Sequence, residues 1–222
     1  MKKQIAVIDC AIKQSSIHCF NRLLQYFDCS LSYHRPPEQG MHSLYSSQDQ
    51  DQAYIIFGSA SNIEDQLQWH AQLASFCHEQ LLQSKPIFAI CFGHQLMAHY
   101  YGATIDKNNE AITYKGSREI TFIESFSPFS KGKSFQIFSA HSFEVKTLPE
   151  DMIHIASSEE CLYDGLAHQS LPLISFQGHP EASPFFVEQE IRDTRPDFPI
   201  IDNPAFKDGI YLLTQWFEKS LQ

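Results

Sequence analysis

The chain has 222 residues, of which 43% are hydrophobic and 19% charged, so it carries enough apolar material for a folded core and wholesale disorder is excluded. Its 16 basic and 26 acidic side chains give a formal net charge of −10, which repels phosphate backbones and anionic membranes, so neither nucleic acid nor a membrane is expected as a partner. No apolar run is long enough to predict a transmembrane helix. The six cysteines show neither disulfide-like nor zinc-like spacing, which predicts reduced thiols in a cytoplasmic protein.

Strand-like and helix-like segments alternate in the first third of the chain. Residues 4–9 and 31–34 are short apolar runs of strand length, and the apolar positions between 17 and 27 step by three and four, as in a helix. Ser15 or Ser16 is the expected cap of that helix. Residues 35–52 are polar and rich in Ser and Gln, and we expect a surface loop there.

Two continuous apolar runs, residues 53–57 and 87–90, are typical of strands that are buried on both faces. Between them, Ser61 and Glu64 form a capping-box pattern that predicts the start of a long helix with an apolar stripe from Ile63 to Leu81. His70 and His78 are expected on the solvent side of this helix. The alternation predicts an α/β fold with a mostly parallel central sheet and helices on both faces, in a flavodoxin-like architecture.

The second half of the chain has a different rhythm. From about residue 111 to residue 176 we expect short strands at hairpin spacing, which would form a small antiparallel region. Two helices are expected at the end. The predicted strands are residues 120–123, 135–138, 154–156, 162–167 and 173–176, and the predicted helices are residues 184–193 and 204–220. Since no repeat or linker interrupts the pattern, we predict one domain over residues 1–222.

The segment PIFAICFGHQLMA, residues 86–98, places Cys91 where a buried strand turns sharply into a helix. A nucleophile at such an elbow is held at the carboxyl edge of the sheet, and the N–H groups of the following helix favour a thiolate over a thiol. Gly93 fits this geometry because a side chain there would crowd the turn. Cys91 is therefore the candidate nucleophile.

A thiolate nucleophile needs a base and a group that orients the base. The segment LISFQGHPE, residues 173–181, leads from a strand into His179, and Glu181 follows two positions later. In an extended chain two such side chains point the same way, so Glu181 can accept a hydrogen bond from the imidazole. Cys91, His179 and Glu181 are therefore a candidate triad.

The CFGHQ elbow together with GHPE resembles the class I glutamine amidotransferase family, whose elbow reads G-x-C-x-G-x-Q and whose second motif reads H-P-E. The FGSAS turn after the third strand and the SAHSFEV segment near residue 141 extend the likeness over most of the chain. Two positions depart from the family pattern. Ala89 stands where the family usually has Gly, and the turn at Gly58 reads Gly-Ser-Ala-Ser where Gly-Gly-Pro is common.

The resemblance implies hydrolysis of a γ-amide through a cysteine thioester, with release of glutamate and ammonia. It implies catalytic roles for Cys91, His179 and Glu181. It also implies substrate-binding positions, in which the backbone of an oxyanion hole and the side chains near the substrate take part. These positions are Gly58, Ser59, Phe92, Gln95, His141 and Ser142.

Two alternatives to a glutamine amidotransferase that serves a separate synthetase chain remain open. One is a γ-glutamyl hydrolase that acts on a conjugate without ammonia transfer, and the other is a glutamine-binding or regulatory module that has no turnover. Cys91 and His94 form a C-x-x-H pair, but no second pair stands at ligand spacing, so we predict no metal site and no cofactor.

Overall fold

A nine-stranded sheet forms the centre of the structure, which is a computed structural model that describes residues 3–108 and 110–222. Two further strands form a small sheet of their own. In chain order the strands are β1 (Gln4–Ile8), β2 (Ser30–His34), β3 (Ala53–Ile56), β4 (Ile87–Ile90), β5 (Ile105–Lys107), β6 (Tyr114–Phe122), β7 (Ser134–His141), β8 (Phe143–Val145), β9 (Met152–Ser157), β10 (Gly165–His168) and β11 (Leu173–Phe176).

The large sheet has two halves, and its strand order is β2-β1-β3-β4-β11-β10-β9-β6-β7. The first five strands pair in parallel, and we call them the parallel half. The last four, the antiparallel half, join the sheet through the antiparallel pairing of β10 with β11. The predicted α/β class is confirmed. The strands at hairpin spacing extend the same sheet, whereas β5 and β8 make the small antiparallel pair.

Helices flank the sheet on both faces. They are α1 (Ile17–Leu23), α2 (Pro36–Gln39), α3 (His42–Ser47), α4 (Gln68–Leu82), α5 (Phe92–Tyr100), α6 (Pro184–Phe186) and α7 (Pro204–Ser220), with a 3-10 turn at Ile63–Asp65 and a π-helical turn at Val187–Ile191. No helix among the described residues has the length and apolar character needed to cross a membrane.

The parallel half is covered on both faces, and this explains its continuous apolar strands. Along β3, Tyr54 and Ile56 face the cluster formed with α4 and α5, while Ala53 and Ile55 face the cluster formed with α1 and α7. All four side chains are fully buried. Because successive side chains alternate between faces, each apolar residue contributes to one of two cores.

The prediction of a surface loop over residues 35–52 is wrong. Pro36 stands in the first turn of α2, where its missing N–H costs nothing, and α3 follows after Gly40. Met41 and Leu44 lie in the core beside α4. These two apolar side chains pack a largely polar segment against the core.

The start predicted for the long helix is also wrong. The reciprocal cap joins Asn62 and Asp65 on the 3-10 turn, and α4 begins only at Gln68. His70 is buried rather than solvent-facing, and its Nε2 lies 3.0 Å from Oγ of Ser61. Most of the predicted stripe nevertheless lies in the core, and only Leu67 and Ala71 of it are exposed.

Neither serine caps α1 as predicted. Ser16 occupies the cap position without a side-chain hydrogen bond to the helix. Instead, the buried carboxylate of Asp9 at the end of β1 accepts hydrogen bonds from the backbone N–H groups of Ala11 and Ser16, at 3.0 and 2.8 Å. Asp9 thereby fixes the loop between β1 and α1.

Candidate active site

Three neighbouring parallel strands end at the same edge of the sheet. Gly58 follows β3, Cys91 follows β4, and Gln177 and His179 follow β11. Since β3, β4 and β11 are adjacent, their carboxyl ends bring these residues together, as is common for ligand sites in open parallel sheets. Positions far apart in sequence thus form one site.

Cys91 lies on a strained turn between β4 and α5. Its φ of 50° and ψ of −103° are rare for a residue with a side chain, and such a conformation costs roughly 1–3 kcal/mol. The turn is held by the Cys91 N–H, which donates to the Phe176 carbonyl at 2.8 Å, and by the Gln95 N–H, which donates to the Cys91 carbonyl at 3.0 Å. A Cβ on Gly93 would lie 2.8–3.0 Å from atoms of Ile56, so α5 can approach β3 only with glycine there.

His179 and Glu181 form a buried pair at the end of β11. Nδ1 of His179 lies 2.9 Å from Oε1 of Glu181, and both side chains are almost inaccessible to solvent. The backbone N–H of His179 donates to the carbonyl of Phe138 on β7. The imidazole ring packs against the ring of Phe186, with centroids 4.6 Å apart. These contacts fix the imidazole plane.

The protonation of His179 is set by its neighbours. Burial alone would lower the pKa of His179, but the negative charges of Glu181 and of a Cys91 thiolate outweigh burial and raise the pKa to about 10. The imidazole is therefore charged at neutral pH, and it can deliver a proton to a leaving group.

Gly58 separates the imidazole from the thiol. A Cβ at this position would lie 2.9 Å from Cε1 of His179, 3.3 Å from Cβ of Cys91 and 3.7 Å from its Sγ. Only glycine lets the backbone after β3 pass this close to both side chains. The turn that the sequence singled out therefore lies against the candidate nucleophile.

A cavity of about 650 Å³ opens above Cys91. Its inner wall includes the candidate triad and the predicted binding positions Gly58, Ser59, Gln95, His141 and Ser142. The outer wall is formed by residues 11–16 and by the segment 185–190 around Phe185 and Phe186.

Phe92 differs from the other predicted binding residues because its side chain faces the core. Its ring packs against Trp69 and His70 and does not line the cavity. Only its backbone can serve the site, since Phe92 is the first residue of α5 and its N–H lies in the turn that lacks intrahelical acceptors.

Gln95 and Gln177 connect the cavity wall to Cys91, the candidate nucleophile. Nε2 of Gln95 donates to the Phe143 carbonyl at 2.8 Å and to Oε1 of Gln177 at 3.1 Å. Nε2 of Gln177 in turn lies 3.7 Å from Sγ of Cys91. Gln177 was not predicted from the sequence, although a polar residue directly after a buried strand, two positions before His179, was a usable signal.

The other members of the wall are held by local hydrogen bonds. Oγ of Ser59 accepts from the Ser61 N–H at 3.0 Å, and Oγ of Ser142 lies 2.7 Å from Oγ1 of Thr113. His141 is buried, with Nδ1 3.1 Å from the Phe143 carbonyl.

His94 has no access to the cavity. Its Nδ1 lies 2.8 Å from Oγ of Ser175, and burial lowers its pKa to about 4. Within residues 3–108 and 110–222, no three His, Cys, Asp or Glu side chains are arranged to share a metal ion.

Three further residues around the site were not found from the sequence. Arg22 on α1 donates to the carbonyl of Ala182 at 2.8 Å and so supports the turn that carries Glu181. Arg118 and Asp164 form an ion pair behind His141. No local pattern marks these three, because each acts on a segment that is distant in sequence.

The chain is similar to known proteins in sequence and in fold. Residues 6–191 match the model of the family described as Glutamine amidotransferase class-I. One glutamine-hydrolysing GMP synthase subunit, from Methanospirillum hungatei, is 32% identical over 115 residues, which cover 51% of this chain and 60% of that protein. The corresponding protein of Pyrococcus abyssi is 34% identical over 100 residues, covering 44% of this chain and 52% of that protein.

These matches span little more than half the length of each curated relative. Among solved structures, a glutamine amidotransferase of Thermotoga maritima superposes with a TM-score of 0.78 at 15% identity, covering 100% of this chain and 99% of the other. At that level of identity the superposition shows that the two proteins share a fold.

Proposed function

Because the chain belongs to the class I glutamine amidotransferase family, we propose that it hydrolyses the γ-amide of glutamine to glutamate and ammonia. One observation carries the proposal. Cys91 lies on a positive-φ elbow in a cavity that also holds the His179–Glu181 pair, so nucleophile, proton donor and orienting carboxylate meet where a substrate can enter.

In the first half-reaction the Cys91 thiolate attacks the amide carbon of glutamine. The negative charge on the carbonyl oxygen is met by backbone N–H groups of Phe92 and of the turn at Gly58 and Ser59. His179 gives its proton to the departing amine, the C–N bond breaks, and a γ-glutamyl thioester and ammonia remain.

In the second half-reaction, neutral His179 takes a proton from water. The resulting hydroxide attacks the thioester carbon, the C–S bond breaks, and glutamate leaves. Glu181 keeps Nδ1 of the imidazole protonated throughout, so that Nε2 is the nitrogen that exchanges protons.

The names of two similar proteins support a proposal about the fate of the ammonia. Those of Methanospirillum hungatei and Pyrococcus abyssi are named as subunits of glutamine-hydrolysing GMP synthases. We propose that this chain likewise delivers ammonia to a separate synthetase chain. The six cysteines form no disulfide within the part of the chain that the structure describes, and we propose a reducing, cytoplasmic setting.

A second candidate function, hydrolysis of a γ-glutamyl conjugate, is favoured by the size of the cavity. At about 30 Å³ for each heavy atom, as in liquid water, the ten heavy atoms of glutamine need at most roughly 300 Å³. The cavity of about 650 Å³ leaves room beside residues 11–16 and 185–190 for a larger amine.

An assay of glutamate and amine release from glutamine and a panel of γ-glutamyl amides tests both candidates. We expect Cys91→Ser to abolish turnover. Cys19→Ser is the matched control, because Cys19 also lines the cavity but burial raises its pKa to about 12 and leaves it unreactive. Faster turnover of a conjugate than of glutamine would support the second candidate.

Absence of turnover with every amide, in the presence and absence of a synthetase chain, would contradict both candidates. It would leave the glutamine-binding module, for which calorimetric binding of glutamine to the wild-type protein is the decisive measurement.

A further inference from the structure

Behind the cavity wall lies a buried ion pair that joins two segments of the antiparallel half. Arg118 on β6 is 3% exposed at its side chain, and Asp164, just before β10, is fully buried. Nε of Arg118 lies 2.8 Å from Oδ2 of Asp164, and Nη2 donates to Oδ1 at 3.0 Å. The backbone carbonyl of Asp164 also accepts the Gln177 N–H at 2.8 Å, so the pair adjoins the site.

The remaining nitrogen of the guanidinium reaches the cavity wall. Nη1 of Arg118 donates to Oγ of Ser139 and lies 2.8 Å from Nε2 of His141. A guanidinium has only donors, so Nε2 of His141 must accept, and the single proton of the neutral ring must be on Nδ1. That proton points at the Phe143 carbonyl, whose oxygen lies 3.1 Å from Nδ1.

The hydrogen bonds continue from this carbonyl to the nucleophile, and each has one possible direction. The Phe143 carbonyl accepts from both His141 and Nε2 of Gln95. Since Nε2 of Gln95 also donates to Oε1 of Gln177, both of its hydrogens are used, and Gln95 presents its oxygen to a ligand. Gln177 must then turn its own Nε2 towards Sγ of Cys91.

We propose that Arg118 is a positioning residue. By fixing the tautomer of His141, it fixes which groups of the cavity wall donate and which accept hydrogen bonds. The consequence for glutamine rests on the proposed function: the oxygen of Gln95 accepts a hydrogen bond from an amino group of the substrate. If the proton were on Nε2, Nδ1 of His141 would direct a lone pair at the Phe143 carbonyl, and the hydrogen bond between them would be lost. The carbonyl would then be free to move, and the amide of Gln95, which donates to it, would lose its fixed orientation.

The electrostatics of His141 agree with this geometry. Burial and then the charge of Arg118 hold the pKa of His141 well below its usual range, and the nearby imidazoles of His179 and His94 act in the same direction. The Phe143 carbonyl favours the charged ring, but burial and the cationic neighbour outweigh it. The ring therefore stays neutral while the wall binds a substrate.

The test separates positioning from structural support. Removing Arg118 alone would leave the Asp164 charge buried and unpaired, so the main variant is Arg118→Met with Asp164→Leu, which removes both charges. We expect a folded protein by circular dichroism and thermal unfolding, with kcat/KM for glutamine lowered roughly 10- to 100-fold. Ser139→Ala is the matched control. It removes another hydrogen bond of the same Arg118 nitrogen, one that is not part of the series of hydrogen bonds leading to Cys91, and we expect kcat/KM to change by no more than about twofold.

A second readout does not depend on activity. In the 15N NMR spectrum of histidine-labelled protein, the His141 resonances are identified by their loss in His141→Gln. We expect wild-type His141 to carry its proton on Nδ1 without titrating between about pH 5.5 and 8, and the double variant to lose this single tautomer. A proton on Nε2 in the wild type, or a double variant with wild-type kcat/KM and tautomer, would overturn the inference. If no glutamine is turned over, the proposed function fails, and the NMR measurement alone decides the role of Arg118.

Discussion

The two halves of the large sheet contribute to the site in different ways. The parallel half delivers the proposed reacting groups, because β3, β4 and β11 end side by side and are followed by Gly58, Cys91 and His179. The antiparallel half delivers supports, which are the Phe138 carbonyl under His179 and the Arg118 guanidinium behind His141. Parallel strands align their carboxyl ends, whereas antiparallel strands alternate their ends, so only the parallel half can gather strand-end residues at one edge.

The largest effect is expected from a change to a reacting group on the parallel half. His179→Ala removes the proposed proton donor, and we expect kcat for glutamine to fall about 10,000-fold or more with the fold intact. Stopped-time assays of ammonia release measure the rate, and circular dichroism checks the fold. His99→Ala, an exposed imidazole on α5, is the control and should leave kcat unchanged. A loss of less than tenfold in His179→Ala would remove the distinction between the halves.

The second-largest effect is expected where the segment after β11 packs against β7. A Cβ on Gly178 would lie 2.1–2.2 Å from side-chain atoms of Ile137 on β7 and 2.9 Å from the Phe138 carbonyl. We expect Gly178→Ala to lower the free energy of unfolding by about 3 kcal/mol, because the added methyl group would push β7 away from the segment that follows β11. Urea denaturation gives this value. Adding Ile137→Ala removes the clashing atoms, so the double variant should be less destabilised than the sum of the single variants.

A smaller and pH-dependent effect is expected at Glu181. The folded-state pKa of His179, raised to about 10, lies above its unfolded value, so the stability from this proton is complete below about pH 6.5 and is lost as the pH rises through about 10. Glu181→Gln removes the main cause of the raised pKa. We expect the variant to be less stable than wild type by about 1–3 kcal/mol at pH 6, and the difference to shrink by pH 10. Denaturation at both pH values measures it, and a deficit that grew with pH would reverse the assigned sign.

The smallest effect is expected at the exposed rim of the antiparallel half. Thr113 precedes β6 and lines the cavity, and its hydroxyl lies within hydrogen-bond distance of Oγ of Ser142. Because this contact is exposed, Thr113→Val should change the KM for glutamine by no more than about twofold. Steady-state kinetics at saturating and limiting glutamine decide this, and a tenfold rise in KM would give the antiparallel rim a direct share in substrate binding.

The parts of the fold that could be predicted have local causes. The apolar run before Cys91 and Gly93 indicates a buried strand that enters a tight turn, and both features lie within a few residues of each other. The same holds for His179 and Glu181, because two positions of extended chain suffice to bring the side chains together.

The wrong predictions concern segments whose burial depends on contacts with other parts of the chain. His70 has the polarity of a surface residue, yet it is buried, and it contacts Oγ of Ser61 and the ring of Phe92. Residues 35–52 look like a loop because their polar majority hides Met41 and Leu44, which pack on α4. Polarity gives the average environment of a residue type, and tertiary packing decides the individual case.

The sequence by itself determined the α/β alternation, the elbow at Cys91 and the pairing of His179 with Glu181, because each depends on contacts between near neighbours. The tertiary structure alone decided that Gln177 reaches Cys91 and that Arg118 reaches His141. These contacts span 86 and 23 residues, and they exist only because strand order places distant segments side by side. A guanidinium can only donate hydrogen bonds, so its role depends on which acceptors the fold places beside it. No spacing in the sequence predicts those acceptors.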